Sequence, residues 1–155
     1  MIRRYVEGTD LEDVQALHAR AHPTWPKREA AWWWSHPTLV LELDGVVVGS
    51  TSMAVSLPAT PQLAEWGDAV LYGHGVSVDP EHRGQGYGLE LAEARHLAGT
   101  ALGAKLFVGM TWKANRAMRA IFDKQGLQRW GQIVVTGAYP HNDPPADGLL
   151  YIGRL

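Results

Sequence analysis

The segment VSVDPEHRGQGYGLEL, Val76 to Leu91, limits the fold of this chain more than any other stretch. An apolar strand pattern ends at Asp79-Pro80, a turn carries glycine at 84, 86 and 88, and a helical pattern follows directly. A strand, a glycine-rich turn and a helix in that order aim backbone N–H groups at one point. The helix dipole adds positive potential there, which suits a phosphate or pyrophosphate. Gly84, Gly86 and Gly88 remove Cβ atoms that would block the approach. Arg83 can add charge-assisted hydrogen bonds. Two nucleotide loops are excluded. The P-loop pattern G-x-x-x-x-G-K-[ST] does not occur, and the dinucleotide fingerprint G-x-G-x-x-G would need glycine where the chain has Leu89. Spacing alone leaves the choice between a plain turn and a ligand cradle open.

The rest of the chain supplies the elements around this segment. Ile2–Val6 reads as an opening strand, and Thr9-Asp10-Leu11-Glu12 has the capping-box pattern. Leu11, Val14, Leu17, His18 and Ala21 then share one helical face. Pro26 suits the first position of a second short helix through KREAAWWW. TLVLEL and VVVGSTSMAV around Asp44-Gly45 form a hairpin signal, and a long loop leads to a strand over Ala69–Val78. After the glycine turn come a helix with Gly103 as its stop, the buried strand KLFVGM, and a helix ending at Gly126. RWGQIVVTGA and LLYIGRL are two closing strands around the loop YPHNDPPADG. The predicted order is β-α-α-β-β-β-α-β-α-β-β, a single α/β domain over 1–155.

Composition narrows the function classes. The chain has 155 residues, 46% hydrophobic and 19% charged, in the range of a soluble globular domain long enough to bury a core. A net charge of −2 without a basic stripe gives nucleic-acid binding little support. No apolar run approaches the roughly 18–20 residues that span a bilayer, and MIRRYVEGTDLEDV lacks a secretory apolar region. The absence of cysteine excludes disulfides, thiolate metal sites and a cysteine acyl-enzyme, and fits a cytoplasmic protein. His18 and His22 form an i,i+4 pair, but no HExxH pattern or third ligand accompanies them, so no metal is expected.

The segment Val76–Leu91 resembles the acyl-CoA-binding motif of the GNAT family of N-acetyltransferases, whose core reads [Q/R]-x-x-G-x-[G/A]. Here it is Arg83-x-x-Gly86-x-Gly88, preceded by Val76-Ser77-Val78-Asp79-Pro80, which matches the family's usual V-x-V-x-P strand end. The family's second signature usually reads N-x-x-A-x-x-x-Y-x-x-x-G-F, with small variations, and at those spacings the chain has Asn115, Met118, Phe122, Gly126 and Leu127. The resemblance implies a mixed, mostly antiparallel central sheet flanked by helices, with acetyl-CoA as co-substrate. It implies the CoA pyrophosphate on the amides of Arg83, Gly84, Gln85, Gly86, Tyr87 and Gly88. The pantetheine arm is implied alongside Val76, Ser77 and Val78, with that strand splaying from KLFVGM. Asn115 matches a residue that commonly bonds the cofactor or its supporting backbone. Phe122 is a departure: many members carry there a tyrosine that protonates the departing thiolate, and phenylalanine has no proton to give. Tyr87, Tyr139 or water is then the alternative donor.

Without a cysteine or a G-x-S-x-G elbow, direct attack by an amine in a ternary complex is the economical mechanism. An alkyl amine of pKa about 10 is only about one part in a thousand neutral at pH 7, equivalent to roughly 4 kcal/mol, so a general base helps. His74, two residues before Val76 on the same strand, is the first candidate, and shares its face unless a bulge intervenes. Glu65 and Asp68 are alternatives, and a structural role for His74 stays open. Trp32-Trp33-Trp34 cover about 200° of helical arc and cannot all enter one core face. In the family that the chain resembles, this helix borders the acceptor cleft, so the resemblance implies Trp25, Trp32 and Trp33, with Tyr139 of the long loop, as acceptor-site candidates, with core packing and a homodimer contact as competing uses. The acceptor class is a small-molecule or peptide amine, with no nucleic acid or membrane partner. An acyl-CoA sensor of the same fold is the second reading, motivated by Phe122. A nucleotide-binding regulator is the third, weakened by the absent P-loop lysine.

Overall fold

The computed structural model describes residues 1–24, 30–56, 69–135 and 146–155. The element order matches the sequence reading: β1 (Ile2–Arg4), α1 (Leu11–Ala21), α2 (Ala30–Ser35), β2 (Thr38–Leu43), β3 (Val46–Ser56), β4 (Val70–Val78), α3 (Tyr87–Ala101), β5 (Leu106–Trp112), α4 (Arg116–Lys124), β6 (Gln128–Val135) and β7 (Ala146–Arg154). Hydrogen bonding orders the strands β1-β2-β3-β4-β5-β7-β6. The β4–β5 pair is parallel, whereas β1–β2, β2–β3, β5–β7 and β6–β7 are antiparallel. This is a mixed, mostly antiparallel sheet. Among the described residues no helix is long and apolar enough to cross a membrane. Residues gather into two compact units, Met1–Met53 with His74–Arg95, and Ala54–Gly73 with His96–Leu155.

In the first unit, Val14, Leu17, His18 and Ala21 are the buried side of α1, as the spacing predicts. Val14 and Leu17 pack with Trp33, Val40 and Val47, while Leu41 and Val48 pack with Leu91 of α3. Adjacent residues of β2 and β3 thus enter different clusters, because strand side chains alternate between faces. Each fully buried Leu or Val contributes roughly 1.5–3 kcal/mol relative to exposure. The β2–β3 turn is built as Asp44-Gly45 predicts: φ is 49° at Asp44 and 81° at Gly45, the left-handed pair that a two-residue hairpin requires.

The start of α1 departs from the expected capping box. Asp10 is the N-cap residue and makes no side-chain cap bond. Its carboxylate instead receives Arg3 Nη1 at 2.7 Å, Arg3 Nη2 at 2.8 Å and the Val6 N–H at 2.7 Å. A bidentate charged partner outcompetes the neutral N–H groups of the helix end.

In the second unit, Phe107, Phe122 and Tyr151 pack ring against ring, with centroids 5.9 Å and 4.7 Å apart and planes inclined at 60° and 46°. α4 ends at the predicted glycine: Gly126 has φ 70°, and the Leu127 N–H reaches back to the Phe122 carbonyl. Ala146, Asp147 and Gly148, which the sequence reading assigns to the loop YPHNDPPADG, belong to β7 instead. They lie opposite Val135, Val134 and Ile133 of β6, and Gly148 also faces Trp112 of β5. The β6 ladder along all three residues, joined by β5 at Gly148, overrides the poor strand propensity of Asp and Gly.

Candidate functional site

The first unit places the strand end, the glycine turn and the helix start in one continuous construction. Asp79 closes β4: its N–H bonds the Val48 carbonyl, and its Oδ1 accepts the Glu81 N–H at 3.1 Å, starting a short 3-10 turn over Pro80–His82. Arg20 Nε lies 2.8 Å from Asp79 Oδ2 and ties α1 to this corner. Burial alone would push the Asp79 carboxyl up. The Glu81 N–H and Arg20 outweigh it and hold the carboxyl below its ordinary value.

Arg83 bonds the backbone of two elements. Its Nε donates to the Val78 carbonyl at 3.2 Å and its Nη2 to the Ala21 carbonyl at 3.0 Å. The last carbonyls of α1 lack intrahelical donors, and a guanidinium fork can serve that helix end and the strand end together. The arginine staples the turn to α1 and β4, and its positive charge stays beside the loop.

Gly84 and Gly86 have φ of 79° and 91°, and a Cβ at either would meet nothing within 4 Å. Glycine is therefore required by the backbone path, which leaves open space on that side of the loop. The Leu89 and Glu90 N–H groups bond the Gly86 carbonyl, so the N–H groups just before them have no helical carbonyl one turn back. That is the donor set of an anion cradle. Gln85 is exposed, Gly88 lies within α3, and Tyr87 packs its ring on the Leu41–Val48–Leu91 cluster.

Along β4, Val76 and Val78 join that same cluster, while Ser77 is buried with its Oγ 3.0 Å from His22 Nε2. Gly75 has φ 76°, which breaks strand alternation between Val76 and His74. The His74 ring lies against His36 with centroids 4.9 Å apart at 77°, and His36 Nδ1 is 3.0 Å from Ser35 Oγ. His74 and Val76 thus have different neighbours. Behind Gly75, the Thr51 hydroxyl donates to the Gly75 carbonyl at 2.9 Å, and Arg95 Nη1 donates to Thr51 Oγ1 at 3.2 Å. Sequence reasoning passed over Arg95 and Thr51. The available signal was an arginine four residues after Leu91, on the buried side of α3.

In the second unit, Asn115 is exposed and caps α4, its Oδ1 accepting the Met118 N–H at 3.0 Å. Phe122 is 2% exposed and lies between Phe107 and Tyr151. Trp33 is a core residue of the first unit. Trp25, Glu65, Asp68, Tyr139 and the side chain of Trp32 lie outside the described residues. His18 and His22 have ring centroids 5.1 Å apart. Among the described residues no group of three His, Cys, Asp or Glu side chains could hold a metal ion.

A strand, glycine turn and helix built this way define a fold class that also has a sequence profile. The chain matches the model of the acetyltransferase (GNAT) family over residues 9–127 and belongs to that family. Solved structures agree in fold. An N-acetyltransferase from Staphylococcus aureus Mu50 superposes with a TM-score of 0.79 at 21% identity, over 99% of this chain and 97% of that one. A protein from Salmonella typhimurium, solved with its cofactor acetyl-CoA, gives 0.77 at 21% identity, over 100% and 93%. The ribosomal-protein-S18-alanine N-acetyltransferase from Escherichia coli gives 0.75 at 19% identity, over 99% and 94%. Among curated proteins no sequence matches.

Proposed function

We propose that the protein is an acetyl-CoA-dependent N-acetyltransferase, acting in the cytoplasm on a primary amine of a small molecule or peptide. One observation carries this reading. The sequence Arg83-x-x-Gly86-x-Gly88 forms an open turn with two left-handed glycines at the head of α3, in a chain of the acetyltransferase family. The CoA pyrophosphate is read onto the N–H groups of Gly84–Gly88, and the pantetheine arm onto the β4 backbone at Val76–Val78. The β4–β5 ladder takes up Val70–Tyr72, ahead of that stretch.

In the reaction, the amine nitrogen attacks the thioester carbonyl carbon. The C–N bond forms, the C–S bond breaks, and sulfur leaves as thiolate. The proton lost by the amine goes to a base, for which His74 is the first candidate and Glu65 and Asp68 are alternatives. Tyr87, Tyr139 or water supplies the proton for the thiolate.

The burial of Phe122, a side chain without a proton to give, favours a second reading as an acyl-CoA sensor without turnover. Thiol release from acetyl-CoA, measured against a panel of small amines and peptide N-termini, separates the two. Release dependent on an amine is the expected result. Tight acetyl-CoA binding with no release for any acceptor would establish the sensor.

A further inference from the structure

A buried arginine stands behind the one residue of β4 that has positive φ. Arg95 is 2% exposed on α3, and burial lowers its pKa to about 10, so it remains a cation at neutral pH. Placing a guanidinium in an interior is costly unless its hydrogen bonds do something an apolar side chain cannot. One of those bonds is directed. Arg95 Nη1 donates to Thr51 Oγ1 at 3.2 Å, which leaves the Thr51 hydroxyl to donate onward, 2.9 Å to the Gly75 carbonyl. Thr51 is itself 1% exposed, so water does not compete for that hydroxyl.

The Gly75 carbonyl and the Val76 N–H belong to one peptide group. A peptide whose oxygen accepts a bond from a cation-polarised hydroxyl becomes a stronger N–H donor, because hydrogen bonds in a chain polarise one another. At Gly75, with φ 76°, the backbone leaves regular strand geometry, and a side-chain bond to its carbonyl fixes the plane of the peptide that follows.

We infer that Arg95 and Thr51 are positioning residues, a buried relay that fixes the Gly75–Val76 peptide and strengthens the Val76 N–H as donor to the thioester carbonyl oxygen. The last step rests on the acetyl-CoA reading given under Proposed function, which lays the pantetheine arm along the β4 backbone at Val76–Val78 and so brings the thioester to that strand. Negative charge grows on that oxygen as the amine attacks, so a stronger donor lowers the barrier more than it tightens ground-state binding.

Thr51→Val removes the hydroxyl at nearly constant shape, and Thr51→Ser restores it. The ligand-free proteins are compared by amide NMR, and then by steady-state acetyl transfer. In Thr51→Val the Val76 amide proton is expected to move upfield. The kcat should fall about ten-fold while the KM for acetyl-CoA changes less than about two-fold. Thr51→Ser should stay near wild type in both. Arg95→Met should follow Thr51→Val wherever it unfolds cooperatively. An unmoved Val76 amide in Thr51→Val overturns the relay, with or without acetyl-CoA. A moved amide with unchanged kcat overturns its role in the reaction. Wild-type protein that fails to bind acetyl-CoA overturns the functional reading instead, and the amide shift still decides the relay.

Discussion

Asp10 stands at the N-cap of α1, yet its carboxylate is committed to a charge seven residues away rather than to the helix end. It is 1% exposed and receives two bonds from Arg3 and one from the Val6 N–H. The Arg3 bonds hold its carboxyl below the ordinary value of 3.8, against the opposing effect of burial, and the Val6 N–H adds to them. Its pKa is lower in the folded state than in the unfolded one. Its stabilisation is therefore complete above the ordinary carboxylate value and is lost as pH falls through the lowered one. Asp10→Asn should cost roughly 1–3 kcal/mol at pH 7, read by urea unfolding. The gap to wild type should close as the pH is taken below about 4. An Asn variant as stable as wild type at neutral pH would show the pair to be energetically idle. His74 carries the other prediction at this scale. His74→Gln should lower kcat/KM by about 10²-fold or more if His74 takes the amine proton, and activity within about three-fold of wild type would move that role to Glu65 or Asp68.

Among elements, the close approach of β3 and α3 rests on a missing side chain. A Cβ on Gly49 would lie 2.8 Å from Leu91 Cδ1, 3.3 Å from Leu41 Cβ and 3.4 Å from the Ser77 carbonyl. Gly49→Ala should therefore cost about 1–3 kcal/mol, seen as a lower Tm, and a neutral result would mean that Leu91 yields at little cost. This contact was invisible in the sequence, where VVVGSTSMAV reads only as an apolar run. The elements themselves were legible, because their signals are local. Asp44-Gly45 took the predicted hairpin, Gly126 ended α4, and α1 buried the residues its periodicity chose. What escaped prediction depends on partners far along the chain. Arg3 claims Asp10 from the capping box, β5 and β6 recruit Ala146–Gly148 into a strand, and Arg83 turns to the Val78 and Ala21 carbonyls. The strand, glycine turn and helix were legible in order, whereas Thr51 and Arg95 behind Gly75 sit 44 residues apart and share no motif.

For the molecule as a whole, folding and ligand binding should be linked through the glycine turn. A ligand that binds only the folded state stabilises it by about 2.7 kcal/mol at a hundred-fold excess over Kd, so acetyl-CoA should raise the Tm by several degrees. The decisive measurement is the Kd of acetyl-CoA by titration calorimetry for wild type and for Gly86→Glu, each checked for cooperative unfolding. Gly86 has φ 91° and open space where a Cβ would stand. A glutamate there both strains the turn and sets a carboxylate against the pyrophosphate. Wild type should bind and the folded variant should show no measurable heat. Equal affinities in two folded proteins would mean that the turn at Gly84–Gly88 does not hold the CoA pyrophosphate.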